Sequence, residues 1–175
     1  MTISASPALR TVNFAVDEQS GTPFDVIVVR SSRTQSSLHN SKASEKFFAS
    51  KALRQVHLIP AELFASLSDA GFQVAAGDLG ENITTAGLHL ERMPLGTLIE
   101  LGPAAIVELT GLRTPCILID RFQAGLKREV LSSAETGPPF KCGVLGVVRI
   151  GGAVASGDSA RVRLPSSPFG ALPAL

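Results

Sequence analysis

A chain of 175 residues with 45% hydrophobic and 18% charged side chains is long enough to bury one domain core and too apolar to be disordered throughout. Its 16 basic and 15 acidic residues nearly cancel, and nine Phe without Trp or Tyr provide few base-stacking rings, so we expect no nucleic-acid partner. No apolar run approaches the roughly 18 residues of a membrane span, and no apolar leader precedes Phe14, which predicts a cytoplasmic protein without a membrane partner.

The first third of the chain contains two predicted strands and a polar segment. Val12, Phe14 and Val16 occupy alternate positions, and residues 24–29, FDVIVV, are β-branched and aromatic except for Asp25, as in a buried strand. Residues 31–51 are polar and rich in Ser, which predicts a long loop or an insertion that diverges from the rest of the domain.

From residue 53 onward the sequence predicts short strands with a few inserted helices. Residues 55–59 read as a strand, Pro60 suits a first helical position, and Leu63 and Leu67 share one face of a helix that stops at Gly71. Further strands are predicted at 98–101, 105–109, 143–150 and 160–164, a helical turn at 117–121 and a helix at 127–134. The pattern predicts a single mostly β (α+β) domain over 1–165, barrel-like, followed by a flexible tail at 166–175.

The first group of residues suited to chemistry is the block at 77–85, GDLGENITT. Its two glycines permit backbone angles that bring N–H groups close to a ligand, and Asn82 and Thr84 offer amide and hydroxyl groups to a heterocycle or phosphate. The alternative is a tight turn into a strand, in which Asp78 and Asn82 bond the local backbone.

The second group is Arg113-Thr114-Pro115-Cys116, which follows the 105–109 strand. Pro115 restricts the backbone before Cys116, and both a following helical turn and the Arg113 charge favour the thiolate form, which binds soft metals or carries a persulfide sulfur. The alternative is a cysteine that serves as a small buried hydrophobe, and we assign that role to Cys142. His39, His57 and His89 have no zinc-ligand spacing, and we expect His57 to be a hydrogen-bonded interior side chain.

Taken in order, these segments resemble the stand-alone MOSC-domain proteins, relatives of the C-terminal domain of molybdenum cofactor sulfurase. The matching segments are RQVHLI at 54–59, GDLGENITT at 77–85, PLGT at 94–97, TGLRTPC at 110–116, GVLGVV at 143–148, and the turns at 151–152 and 157–158. Each is weakly specific alone, but the ordered set, which covers about 53–165, is specific.

The resemblance implies a MOSC-type β-barrel that binds the molybdenum cofactor. It assigns Cys116 as the catalytic residue and molybdenum ligand, and it places Asn82 near the pterin. Together with Thr84, Arg113 and Lys42, Asn82 would position the pterin and its phosphate. Pyridoxal phosphate is not predicted, because the aminotransferase-like domain that binds it in full-length sulfurases has no counterpart here.

The resemblance leaves three functions open. The first is an oxidoreductase that reduces N-hydroxylated small molecules, such as hydroxylaminopurines, with electrons from a separate reductase. The second is a non-catalytic carrier of sulfur or cofactor that serves a sulfur-transfer partner. The third is a degenerate family member, because His39 and Lys42 match a His-x-x-Lys motif whereas the Gly-Asp-x-His stretch that usually follows is absent between Lys42 and Leu53.

Overall fold

The computed structural model describes residues 10–14, 24–28, 53–131 and 137–175, so the predictions for the 31–51 segment, His39 and Lys42 lie outside the described residues. The described part contains mostly strands and a few short helices, in agreement with the predicted fold class. The strands are β1 Arg10–Phe14, β2 Phe24–Val28, β3 Val56–Pro60, β4 Ile83–Thr85, β5 Leu98–Leu101, β6 Ala105–Leu112, β7 Val144–Ile150 and β8 Ala160–Arg163. The α-helices are α1 Ala61–Asp69, α2 Leu118–Phe122 and α3 Leu126–Glu129, and Leu90–Arg92 forms a 3-10 turn.

All eight strands belong to one curled sheet. Its order is β1-β2-β4-β3-β7-β6-β5-β8, and every neighbouring pair is antiparallel except β3 with β4. The two outer strands, β1 and β8, come into contact, so the sheet curls toward a barrel. No helix among the described residues is long and apolar enough to cross a bilayer.

The sheet has a buried apolar cluster on each face. One fills the curled interior with aliphatic side chains from most strands, among them Leu58, Leu101 and Leu109, all without exposed surface. The other lies under the helices, where Leu63 and Leu67 of α1 pack with Ile119, Leu126 and Cys142. Because side chains alternate along a strand, β3 contributes Leu58 to the first cluster and Ile59 to the second.

Helix α1 follows the predicted pattern with a shift of one residue at its start. Pro60 is still extended, with φ −73° and ψ 135°, and the helix begins at Ala61. It ends at Asp69, two residues before Gly71, whose φ of +88° suits glycine. The helix predicted at 127–134 is shorter in the structure, ending at Glu129.

A β-bulge near the end of β6 alters the direction of the strand just before the predicted site. Leu109 pairs with Gly146 and Gly111 with Leu145, so Thr110 is an extra residue on β6. Its hydroxyl lies 2.6 Å from the carbonyl oxygen of Leu53 and 2.9 Å from that of Leu145. Such bulges bend a strand and re-aim the residues that follow, and here those residues are Arg113 to Cys116.

The last residues of the predicted tail at 166–175 pair with β6 through their backbone. Strand β5 pairs with β6 only as far as Glu108, so the backbone groups at the end of β6 have no β5 partner on that side. The tail pairs there instead: Leu112 N–H donates to Pro173 O at 2.7 Å, and Leu175 N–H donates to Leu112 O at 3.0 Å. Leu172 is buried in the barrel interior. The Pro- and Ser-rich composition of the tail gave no indication of this backbone pairing.

Candidate functional site

The candidate site lies at the edge of the sheet where β3 and β6 end and β7 begins. Leu58 and Leu112 both pair with Val144, so the residues that follow β3 and β6 leave the sheet on the same side. Gly143, directly before β7, accepts a hydrogen bond from Arg113 N–H at 3.0 Å. The start of the Arg113–Cys116 segment is therefore attached to the sheet through its backbone.

Cys116 is a free, half-buried cysteine at this edge. It packs against the cluster beneath the helices, and its carbonyl accepts the N–H of Ile119 at 3.2 Å in the first turn of α2. The two residues that follow it are exposed apolar side chains, Ile117 at 60% and Leu118 at 58%. The thiol is therefore at the boundary between the core and solvent.

Arg113 lies directly after β6, three residues before Cys116. Its side chain is half-buried, and its Nη1 donates to Thr114 O at 3.3 Å. Its charge also acts on buried groups, because it lowers the pKa of both His57 and Cys142. Arg113 is therefore close enough to the buried part of the site to act on it electrostatically.

Cys142 has the core role that the sequence predicts. It is 2% exposed and belongs to the cluster beneath the helices. Burial raises the pKa of its thiol to about 11, although Arg113 opposes the shift. At neutral pH Cys142 is a neutral thiol, so it is a poor metal ligand and a poor nucleophile.

His57 is an interior histidine with a defined hydrogen-bond partner, as predicted. Its Nε2 donates to the carbonyl oxygen of Cys142 at 2.8 Å, and its backbone N–H donates to Asn82 Oδ1 at 2.8 Å. Burial, together with the charge of Arg113, lowers the pKa of His57 from 6.5 to about 4. The imidazole is therefore neutral at pH 7 and links β3 to the residue before Gly143.

The lowered pKa of His57 predicts a measurable loss of stability in acid. Between about pH 6.5 and 4 the unfolded chain binds a proton on His57 that the folded protein does not, so this residue makes folding less favourable as the pH falls. Between pH 7 and pH 5 the titration of His57 lowers the free energy of unfolding by about 2 kcal/mol. We expect His57→Gln, which keeps a donor for the Cys142 carbonyl, to remove this part of the pH dependence.

Urea unfolding of both proteins at pH 7 and pH 5 checks the prediction. The raised pKa values of Glu81 and Glu91 favour the folded state toward acid, but both groups are present in both proteins, so their contribution cancels in the difference. If the free energy of unfolding changed equally between pH 7 and pH 5 in wild type and in His57→Gln, the account would be contradicted.

In the Asn82 side chain the amide oxygen is hydrogen-bonded within the fold, whereas the amide nitrogen has no partner among the described residues. Its Oδ1 accepts from His57, and its own N–H donates to the carbonyl oxygen of His57 at 2.9 Å, so it continues the pairing of β4 with β3. Its amide nitrogen has no partner among the described residues, and the side chain is half-buried. Two amide N–H donors therefore remain for a ligand.

Thr84 has an internal role in the structure. It has no exposed surface, and its hydroxyl donates to Glu81 Oε1 at 3.2 Å. Glu81 Oε1 also accepts from Gly77 N–H at 2.5 Å, whereas Oε2 has no partner among the described residues. Burial raises the pKa of Glu81. This part of the block is a closed turn, and the buried carboxyl at its centre was not singled out from the sequence.

Arg113 and Cys116 thus lie three residues apart on the segment that leaves β6, and the charges of both act on the pKa of the buried Cys142. Asn82 is joined to His57 by hydrogen bonds. In the described ranges, no group of three or more His, Cys, Asp or Glu side chains is arranged to hold a metal ion.

Comparison with solved structures defines the class of fold. The structure is similar to that of YiiM from Geobacillus stearothermophilus, with a TM-score of 0.54 and 25% identity over 70% of this chain and 60% of that chain. It is also similar to that of YiiM from Escherichia coli, with a TM-score of 0.54 and 20% identity over 66% of this chain and 57% of that chain. The match spans less than two thirds of the length of either protein.

The MOSC domain family model matches residues 44–161, and this chain belongs to the MOSC domain family. The match confirms the resemblance seen in the ordered sequence segments, and the fold agrees with it. No curated protein gives a significant sequence match. The reaction of this protein is therefore inferred from the residues of the site.

Proposed function

We propose that this protein binds the molybdenum cofactor with the Cys116 thiolate as the metal ligand and reduces N-hydroxylated small molecules with electrons from a separate protein. The observation that carries the proposal is the half-buried, free thiol of Cys116, three residues after Arg113, at the edge of a MOSC-family fold.

The available side chains are chemically suited to this cofactor. A thiolate is a soft ligand, which suits molybdenum, and of the two cysteines only Cys116 reaches the surface. The Arg113 guanidinium suits a phosphate, and the free amide of Asn82 suits a pterin ring edge. Thr84 has no exposed surface, and in this proposal it acts through its hydroxyl, which donates to Glu81, the residue before Asn82.

The proposal gives each protein group a role. Cys116 would hold the metal, Arg113 would hold the phosphate or the pterin, and Asn82 would donate N–H groups to the ring. When bound, the cofactor supplies two-electron redox chemistry. Reduction of an N–OH group consumes two electrons and two protons and releases water, and the electrons must come from a partner, because the sequence carries no flavin, haem or iron–sulfur motif.

A direct assay tests the proposal. Protein reconstituted with molybdenum cofactor is mixed with 6-hydroxylaminopurine and reduced methyl viologen, and formation of adenine is followed by chromatography. We expect adenine to form with the wild-type protein and not with Cys116→Ala. A protein that retains molybdenum and forms no adenine, in the presence of a confirmed reductant, would contradict the reductase activity.

A carrier of sulfur or cofactor is the second candidate, and the surface beside the thiol favours it. Ile117, Leu118 and Phe122 expose apolar side chains directly after Cys116, and a transfer protein needs such a surface where a partner must reach its thiol. The carrier function predicts cyanide-releasable sulfur on wild type and none on Cys116→Ala, together with no adenine formation. Absence of both sulfur and molybdenum from wild type would favour a degenerate family member.

A further inference from the structure

A cavity of about 370 Å³ lies next to the candidate site, between the start of α1, the 3-10 turn and the segment before β7. Gly143 separates the two: its N–H donates to Glu91 Oε1 at 3.1 Å on the cavity side, and its carbonyl accepts from Arg113 N–H at 3.0 Å on the other. Glu91 lines the cavity, whereas neither Arg113 nor Cys116 does. The cavity is therefore a separate site.

Two carboxylates face this cavity from different elements. Glu62 is in the first turn of α1, and Glu91 is in the 3-10 turn. Both are fixed in position by backbone donors, Glu62 by Gly87 N–H and Glu91 by Gly143 N–H. Burial raises the pKa of Glu91; the Gly143 N–H and the charge of His89 lower it, and the charge of Glu62 raises it.

No basic residue of the cavity is paired with these carboxylates. His89, Arg92 and Lys141 line the cavity and are exposed, and within the described residues no ion pair joins any of them to Glu62 or Glu91. Glu62 is exposed as well, whereas Glu91 is half-buried. A cation bound beside Glu91 would offset the negative charge that burial leaves poorly hydrated.

The walls of the cavity indicate an organic cation and not a metal ion. Leu63 and Leu88 are buried side chains of the wall, and Phe140 adds a half-buried ring. Apolar walls with a few convergent polar groups are typical of small-molecule sites of this volume. Among the described residues no cluster of His, Cys, Asp or Glu qualifies as a metal site.

We propose that this cavity binds a small primary amine with an apolar body, its ammonium group between Glu62 and Glu91 and its hydrocarbon part against Leu63, Leu88 and Phe140. An ammonium group offers three N–H donors, which is enough to reach both carboxylates. Because the site does not include Cys116 or a cofactor, the proposal stands or falls independently of the proposed function.

The test uses benzylammonium as the probe and benzyl alcohol as its nearly isosteric neutral control, both added to the full chain without cofactor at pH 7. Binding is followed by 15N–1H NMR, in which the amides of Gly87 and Gly143 report directly on the two carboxylates. We expect saturable shifts of both amides with benzylammonium and at least tenfold weaker binding of benzyl alcohol.

Two charge-neutralising variants and one control complete the test. Glu91→Gln and Glu62→Gln keep an oxygen that accepts the glycine N–H, and each should weaken benzylammonium binding at least tenfold. Glu129→Gln removes an exposed carboxylate of α3 and should bind as wild type. Equal affinities for the two probes, unchanged binding by both cavity variants, or no shifts at millimolar benzylammonium would each overturn the proposal.

Discussion

Replacing Cys116 by alanine is expected to lower the molybdenum retained after cofactor reconstitution at least tenfold while leaving the protein folded. The thiolate is the proposed bond between the protein and the metal, and alanine provides no ligand. The side chain is only half-buried and lies at the margin of its cluster, so its loss removes few core contacts. Metal analysis of gel-filtered protein, with circular dichroism as the check on folding, measures both properties.

Cys142→Ala is the matched variant, and it should have the opposite pattern. Cys142 is almost fully buried, so its truncation leaves a small cavity and costs about 1–2 kcal/mol of the free energy of unfolding. Its thiol is not a ligand in this account, so molybdenum should be retained. If the two variants lost molybdenum equally, or if only Cys142→Ala lost it, the assignment of the metal to Cys116 would be wrong.

Gly143→Ala is expected to be the most destabilising single-methyl substitution proposed here. Gly143 has a φ of +76°, which an alanine adopts only with strain, and a Cβ there would lie 2.1 Å from the carbonyl oxygen of Leu58. That oxygen belongs to the paired backbone of β3, so it cannot move without disturbing the sheet. We expect a loss of about 3 kcal/mol or more in urea unfolding, a large part of a typical domain stability.

Gly151→Ala is the control at the opposite end of β7. A Cβ at Gly151 meets no atom within 4 Å, and its φ is not in the left-handed region. We expect a change within about 0.5 kcal/mol. Similar unfolding free energies for the two alanine variants would show that the close approach of β7 to β3 does not matter for stability.

The sequence predicted the strands well, because their apolar runs are bounded by Gly and Pro. The strand predicted at 98–101 matches β5, and the helical turn predicted at 117–121 matches α2 within one residue at each end. Periodicity also placed Leu63 and Leu67 correctly on the buried face of α1. These features depend on local composition, which a single sequence displays directly.

Features that depend on distant pairing were not predictable in the same way. The backbone bonds of residues 173–175 to β6 depend on where β5 stops pairing, and that is a property of the assembled sheet. The cavity between Glu62 and Glu91 joins elements about thirty residues apart, and nothing in either local sequence indicates that they meet. Thr84 was assigned to the ligand for its hydroxyl, but its alternation within β4 gives that hydroxyl to Glu81.

Native mass spectrometry of the wild-type protein, after anaerobic incubation with molybdenum cofactor, tests the central claim most directly. The account predicts a complex with one pterin and one molybdenum per chain, lost in Cys116→Ala and kept in Cys142→Ala. A folded wild-type protein that carries neither pterin nor molybdenum after this treatment would contradict it.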